Sequence, residues 1–245
     1  MPVYCITGAN RGLGLEFVRQ LSQFADNTIL ACVRSSSTGL DDLKSASNSN
    51  RVHIHECDMS NPQSVEAFAT KAKGTLSSNT KITHLLANAG VNSVPHQNSL
   101  DLQPTDLHHE IDINVLGPQK LTSTLLAAGL LAQDVRIMNL TSGLGSMQKG
   151  LSISPRKCAT YSISKAALNM LTVHQSGDLR NKERGGLEEA VVICMDPGWV
   201  KTRMGGKDAS LRPEESIGGM LKCLHGLGEG DNGKFFTYSG EEVGW

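Results

Sequence analysis

The sequence predicts an α/β fold in which one parallel sheet of about seven strands is doubly wound, with helices on both faces. Three observations predict it. Short apolar runs alternate with longer segments of helical periodicity along all 245 residues. Most of those runs are continuously apolar rather than alternating, as strands covered on both faces require. A glycine-rich turn follows the first run directly and opens the first helical segment.

The first run, VYCIT (3–7), leads into TGANRGLG (7–14), after which Phe17, Val18, Leu21 and Phe24 recur at helical spacing. TILACV (28–33) and RVHIHEC (51–57) give the second and third strands, and the polar stretch 35–50 between them reads as a loop carrying a short helix. Asn61-Pro62 starts a helix, with Asn as N-cap, Pro in the first turn, and Val65, Phe68 and Ala72 as its apolar face. ITHLLAN (82–88) is the fourth strand. A long helix is expected over 104–130 with a kink at Pro118, and another over 159–179. VRIMNLT (135–141) and AVVICM (190–195) supply two more strands. Arg212-Pro213-Glu214-Glu215 opens the last helix with carboxylates at its positive end, and FFTY (235–238) is the last strand. No repeat or linker-like tract interrupts this order, so 1–245 reads as a single domain.

Composition removes several function classes. A net charge of −1 offers no general attraction to nucleic acid or anionic membrane, and 4% aromatic residues supply few stacking platforms. Four of the six cysteines (Cys5, Cys32, Cys57 and Cys194) fall in apolar runs, and no Cys or His spacing suits a metal. His108-His109 reads as a solvated helix face, and His53 and His55 as one face of a strand. The chain is therefore expected to be soluble and cytoplasmic, without metal, with a small molecule or its own copy as partner.

Glycines 8, 12 and 14 let the backbone turn sharply and bring helix N–H groups toward a pyrophosphate. Where an NAD site places a carboxylate, at the end of the second strand, this chain has Arg34, and no Asp or Glu lies between 27 and 40. Arg34 and Arg11, with the hydroxyls of Ser35 and Ser36, suit the phosphate of NADP(H). Tyr161 and Lys165, four apart on a helix, share one face.

Taken in order, these motifs resemble the short-chain dehydrogenase/reductase family. Thr7-Gly8-x3-Gly12-x-Gly14 is similar to its cofactor turn, Asp58 to its adenine contact, and Asn88-Ala89-Gly90 to its fourth-strand motif. Asn114, Ser142 and Tyr161-x3-Lys165 resemble its catalytic set, and Asp196-Pro197-Gly198-Trp199-Val200-x-Thr202 its nicotinamide loop. TGANRGLGLEFV and the tail GKFFTYSGEEVGW look most like the sniffer and C-factor type of carbonyl reductase. The segment from Ser142 to Tyr161 is longer than the family's usual one, and Ala87 stands where a second Asn is common.

The resemblance implies a Rossmann-type fold, a homodimer or homotetramer, and reversible reduction of a carbonyl by NADPH from the pro-S side of the nicotinamide. Catalysis is then expected from Asn114, Ser142, Tyr161 and Lys165. Cofactor contacts are expected from Gly8, Asn10, Arg11, Gly12, Leu13, Gly14, Arg34, Asp58, Met59, Asn88, Ala89 and Gly90, and from Tyr161, Lys165, Pro197, Gly198, Val200 and Thr202.

In this reading Tyr161 donates the proton, and Lys165 lowers the phenol's pKa from its ordinary value near 10. Ser142 orients the carbonyl oxygen, and Asn114 holds a helix open for a water path. Asp58 suits an N-cap equally well, and Trp199 either a substrate wall or the core. The substrate pocket is expected from 91–97, 144–154, Trp199 and 203–210. An NADP(H)-binding sensor with little turnover is the alternative; the intact set of four catalytic residues argues against it.

Overall fold

The computed structural model describes residues 1–37, 39–47 and 50–245; Thr38, Asn48 and Ser49 of the expected 35–50 loop lie outside the described residues. Seven strands pair in parallel: β1 (Val3–Thr7), β2 (Thr28–Val33), β3 (Val52–Glu56), β4 (Ile82–Ala87), β5 (Leu131–Leu140), β6 (Val191–Asp196) and β7 (Phe235–Thr237). Their order is β3-β2-β1-β4-β5-β6-β7. The chain winds outward from β1 in one direction and from β4 in the other, which opens a crevice at the carboxyl ends of these two strands.

Helices α1 (Gly12–Leu21), α2 (Asp41–Ala46) and α8 (Pro213–Gly226) are associated with one face. There Phe17, Val18 and Leu43 pack with Ile217, Met220 and the β1 residues Tyr4 and Ile6. Helices α3 (Pro62–Thr75) and α5 (Gly117–Ala127) cover the other face, where Val65, Phe68, Leu121 and Leu125 meet Cys5, Leu85 and Ile137. Asn61 caps α3, its side chain accepting from the Gln63 and Ser64 amides.

The expected helix over 104–130 is broken differently from the sequence reading. It divides into α4 (Pro104–Ile111), a π-helical turn (Asp112–Leu116) and α5, so the irregularity precedes Pro118 instead of centring on it. Pro118 has no N–H to give the Asn114 carbonyl four residues back, and its ring crowds that carbonyl; the wider turn accommodates both. Two other boundaries moved. α1 stops at Leu21, leaving Phe24 63% exposed beyond it, and β5 begins at Leu131, before the apolar run that announced it. Among the described residues no helix is long and apolar enough to cross a membrane.

Helix α7 (Ala159–Asp178) docks through polar groups. Its buried residues include Thr160, Ser164, Lys165, Asn169, Thr172 and Gln175. Asn139 on β5 donates to Thr172 Oγ1 and Gln175 Oε1, both at 2.9 Å, and Thr141 donates to Asn169 Oδ1 at 2.6 Å. Directional bonds of this kind fix one register of α7 on the sheet, whereas an apolar contact would tolerate sliding.

Candidate active site

The glycine turn is built so that no side chain could fill it. Gly8 and Gly12 have φ of +66° and +54°, and a Cβ on Gly14 would overlap the Gly8 carbonyl. The end of β4 closes over the turn, with Asn88 Nδ2 donating to Thr7 O (2.7 Å) and the Ala89 amide to Thr7 Oγ1 (2.9 Å). Arg11 stands at the N-cap of α1 without a side-chain hydrogen bond to its amides, which leaves them available to an anion. Thr202 lies against the turn, its Cγ2 3.8 Å from where a Gly12 Cβ would be.

The catalytic candidates adjoin this turn. Gly90 leaves the space they need: a Cβ there would lie 3.2 Å from Asn114 Oδ1 and 3.4 Å from Lys165 Nζ. Asn114, in the π-helical turn, is wholly buried; its amide accepts from Val91 N (2.8 Å) and donates to Val91 O and Ser164 Oγ (both 2.9 Å). Ser142 opens a short 3₁₀ turn (Gly143–Gly145) at the end of β5, its Oγ accepting the Leu144 amide at 3.2 Å, and stands close enough to act on the Tyr161 phenol. The Lys165 ammonium stands over the Tyr161 ring, 5.6 Å from its centroid, and donates to the Leu140 carbonyl at 2.7 Å.

The electrostatics differ from the sequence expectation. Tyr161 is not brought below its ordinary value. Burial pushes the phenol up, the Asp196 carboxylate adds to that, and the nearby Ser142 hydroxyl opposes it. Lys165 is buried too, and desolvation brings its ammonium down to about 8. The phenol is thus held in its protonated form, which is the form a proton donor needs.

Beyond the glycine turn, Asp196 Oδ1 accepts the Gly198 amide at 3.0 Å, and Gly198 has a φ of +76°. Trp199 is 58% exposed with Nε1 donating to Gly205 O, which excludes a core role. Val200 is buried and bridges to Leu211, and the Thr202 hydroxyl accepts the Gly205 amide at 3.1 Å.

A family model described as "short chain dehydrogenase" matches residues 2–212. The chain belongs to that family. Over 145 residues, 59% of this chain and 82% of the relative, it is 37% identical to the C-signal protein of Myxococcus xanthus. It is 30% identical to the short-chain dehydrogenase/reductase atnB of Arthrinium sp, covering 87% of this chain and 80% of that one. A carbonyl reductase from chicken fatty liver, solved with NADPH bound, superposes with a TM-score of 0.88 at 31% identity, each chain fully covered. The carbonyl reductase Sniffer of D. melanogaster superposes at 0.85 with 26% identity, again over both whole chains.

Other expected contacts of this short-chain dehydrogenase lie around the same crevice in various settings. Asn10 Nδ2 reaches Gly39 O at 3.4 Å, and Leu13 packs partly buried against the α1 face. Met59 is buried against Gly117, and Pro197 O accepts from Ser216 at 2.7 Å. Asp58 does not cap α3, since Asn61 does; its Oδ1 instead accepts the Ser60 amide and hydroxyl.

Arg11 and Arg34 are both exposed, and neither makes an ion pair among the described residues. The two serines beside Arg34 are committed elsewhere. Ser35 bonds Ser37 at 2.7 Å, and Ser36 gives its amide and hydroxyl to Glu56 Oε2, whose carboxyl these bonds hold below its ordinary value. Glu56 is not legible along β2 alone, because it comes from β3. Register places Glu56 beside Val33 from the neighbouring strand.

The segment expected to form the substrate-side wall is also fastened by contacts that no motif announces. The one-turn helix α6 (Met147–Gly150) is tied to the C-terminal tail by Ser146 Oγ to Gly244 O (2.6 Å) and Gln148 N to Trp245 O (3.1 Å). Lys149 of α6 pairs with Asp196 at 3.7 Å.

Proposed function

We propose that this short-chain dehydrogenase reduces a ketone or aldehyde to an alcohol with NADPH, reversibly, through Asn114, Ser142, Tyr161 and Lys165. The observation that carries the reading is the meeting of Ser142, a protonated Tyr161 and Lys165 beside a glycine cradle with free helix amides. When bound, NADPH supplies the hydride. Tyr161 Oη gives its proton to the carbonyl oxygen, on which charge develops. The Ser142 hydroxyl hydrogen-bonds that oxygen and orients it. The Lys165 ammonium stabilises the phenolate left behind and would hold the ribose hydroxyls of a bound cofactor. Asn114 holds the π-helical turn against Val91 and Ser164, keeping the crevice open beside Lys165.

NADPH is favoured over NADH by two guanidiniums without an ion pair among the described residues, and by the absence of a carboxylate at the end of β2 itself. The chicken carbonyl reductase solved with NADPH and a Burkholderia multivorans short-chain dehydrogenase/reductase solved with NADP support the same choice. Six free cysteines fit a reducing, cytoplasmic setting. Exposed Leu116, Ile163, Met170 and Val173 support self-association as a dimer or tetramer.

NADPH oxidation followed over a broad panel of aldehydes and ketones tests the reading. Turnover is expected with at least one moderately apolar carbonyl, and Tyr161→Phe should abolish it while NADPH affinity stays within about twofold, a few tenths of a kcal/mol. Tight NADPH binding with no turnover across the panel would replace the enzyme with a binding protein.

A further inference from the structure

The seam between α4, the π-helical turn and the start of α7 holds a carboxylate that the scheme above leaves unused. Glu110, near the end of α4, is wholly buried. Its Oε1 accepts the Ser93 amide at 2.6 Å. Its Oε2 is buried and has no partner among the described residues, and Thr160 Oγ1 on the first turn of α7 is in the same condition. An ionised carboxylate removed from water needs a counter-charge nearby.

Lys165 supplies one. Glu110 and Asn114 hold the same loop, Glu110 through Ser93 and Asn114 through Val91, which sets the two side chains close together. Asn114 Oδ1 and Lys165 Nζ converge in turn on the space above Gly90. The groups facing Lys165 from the elements around it are Tyr161 on its own helix, the Leu140 carbonyl on β5, Cys194 on β6 and Glu110 on α4. Burial raises the Cys194 thiol to about 12, so it is neutral. Asp196 acts on Tyr161 and is shared with Lys149, and Cys158 donates to the Pro95 carbonyl. Among these described groups, Glu110 is the carboxylate whose charge favours the Lys165 ammonium.

We propose that Glu110 is a positioning residue for the reductase reading given above: it fastens the substrate-side loop 91–97 through Ser93 and supplies the buried negative charge that keeps Lys165 an ammonium. Glu110→Gln separates the two roles, since the amide oxygen still accepts from Ser93 while the charge is gone. NADPH affinity, followed by nucleotide fluorescence between pH 6 and 10, reads the Lys165 charge without turnover.

In the parent chain affinity falls as pH rises through the Lys165 value near 8. In Glu110→Gln that alkaline limb should move to lower pH by about half to one unit, roughly a three- to tenfold loss of affinity at a fixed pH above it. At pH 6.5 affinity should be unchanged. Glu110→Asp keeps the charge and should leave the limb in place. Glu110→Ala should in addition raise KM for the carbonyl as the loop loosens.

A limb unmoved in a folded Glu110→Gln protein, or one moved equally by Asp, overturns the proposal. Failure of the parent chain to turn over any carbonyl defeats the reductase reading alone, because the binding profile still reports on the Glu110–Lys165 pair.

Discussion

Lys165 is a cation placed where burial works against it, and stability should register that. The unfolded chain keeps this proton up to the ordinary lysine value of 10.5, the folded chain only up to about 8. Stability therefore climbs as pH rises across that window, and the full deficit is present below it. The difference corresponds to roughly 3 kcal/mol at most. Lys165→Met combined with Glu110→Gln removes the ammonium together with its counter-charge while leaving the Leu140 carbonyl without its donor, an offset of about 1 kcal/mol or more. We expect the variant to be inactive yet more stable by about 1–2 kcal/mol at pH 7, a rise in Tm of a few degrees. The gain should vanish by about pH 10.5, above which both states are neutral. Thermal melts at three pH values check this, and a doubly substituted protein destabilised at pH 7 would contradict it.

At the level of elements, the proposed preference for NADPH rests on the end of β2. Arg34 leaves the sheet there, exposed and without an ion pair among the described residues, while Ser36 is held by Glu56. The guanidinium is therefore the group left to grip a phosphate, and Arg34→Ala should lower the NADPH-over-NADH preference in kcat/KM by about 10- to 100-fold, the worth of one charged contact. Kinetics with both nucleotides measure it; an unchanged ratio would move the phosphate elsewhere. The seven strands were legible because their apolar runs are short and continuous, and the glycine turn because positive φ leaves little choice of residue. What escaped lies between elements. The π-helical turn depends on how Asn114 meets Val91 and Ser164, and Glu56 meets Ser36 only through strand pairing. Phe24 misled for the opposite reason: its spacing is helical, but α1 has already ended. The direction of the Tyr161 shift also needed coordinates, because a four-residue spacing reports the neighbouring cation and says nothing of burial.

Across the whole molecule, chemistry gathers at the carboxyl ends of the strands, and a second polar cluster occupies the opposite side of the β1–β4 pair. Tyr4 stacks on His84 with ring centroids 4.5 Å apart, and its hydroxyl meets His225 Nε2 at 2.9 Å. Asp134 and Arg136 line a cavity there together with His84 and His225. Burial, then the nearby His225 and Arg136, bring His84 down to about 4 from its ordinary 6.5, so the folded chain resists a proton that the unfolded chain accepts. His84 thus contributes stability that is complete above pH 6.5 and is lost as pH falls toward 4. At pH 5 the loss is roughly 2 kcal/mol. His84→Phe keeps the stack on Tyr4 and cannot take a proton, so the fall in Tm between pH 7.5 and 5 should shrink by several degrees. The cluster is far enough along the strands from Tyr161 that kcat near neutral pH should not change with it. An acid-induced fall in Tm as steep in His84→Phe as in the parent would place the acid sensitivity in another group, with the partly buried His225 the first to substitute next.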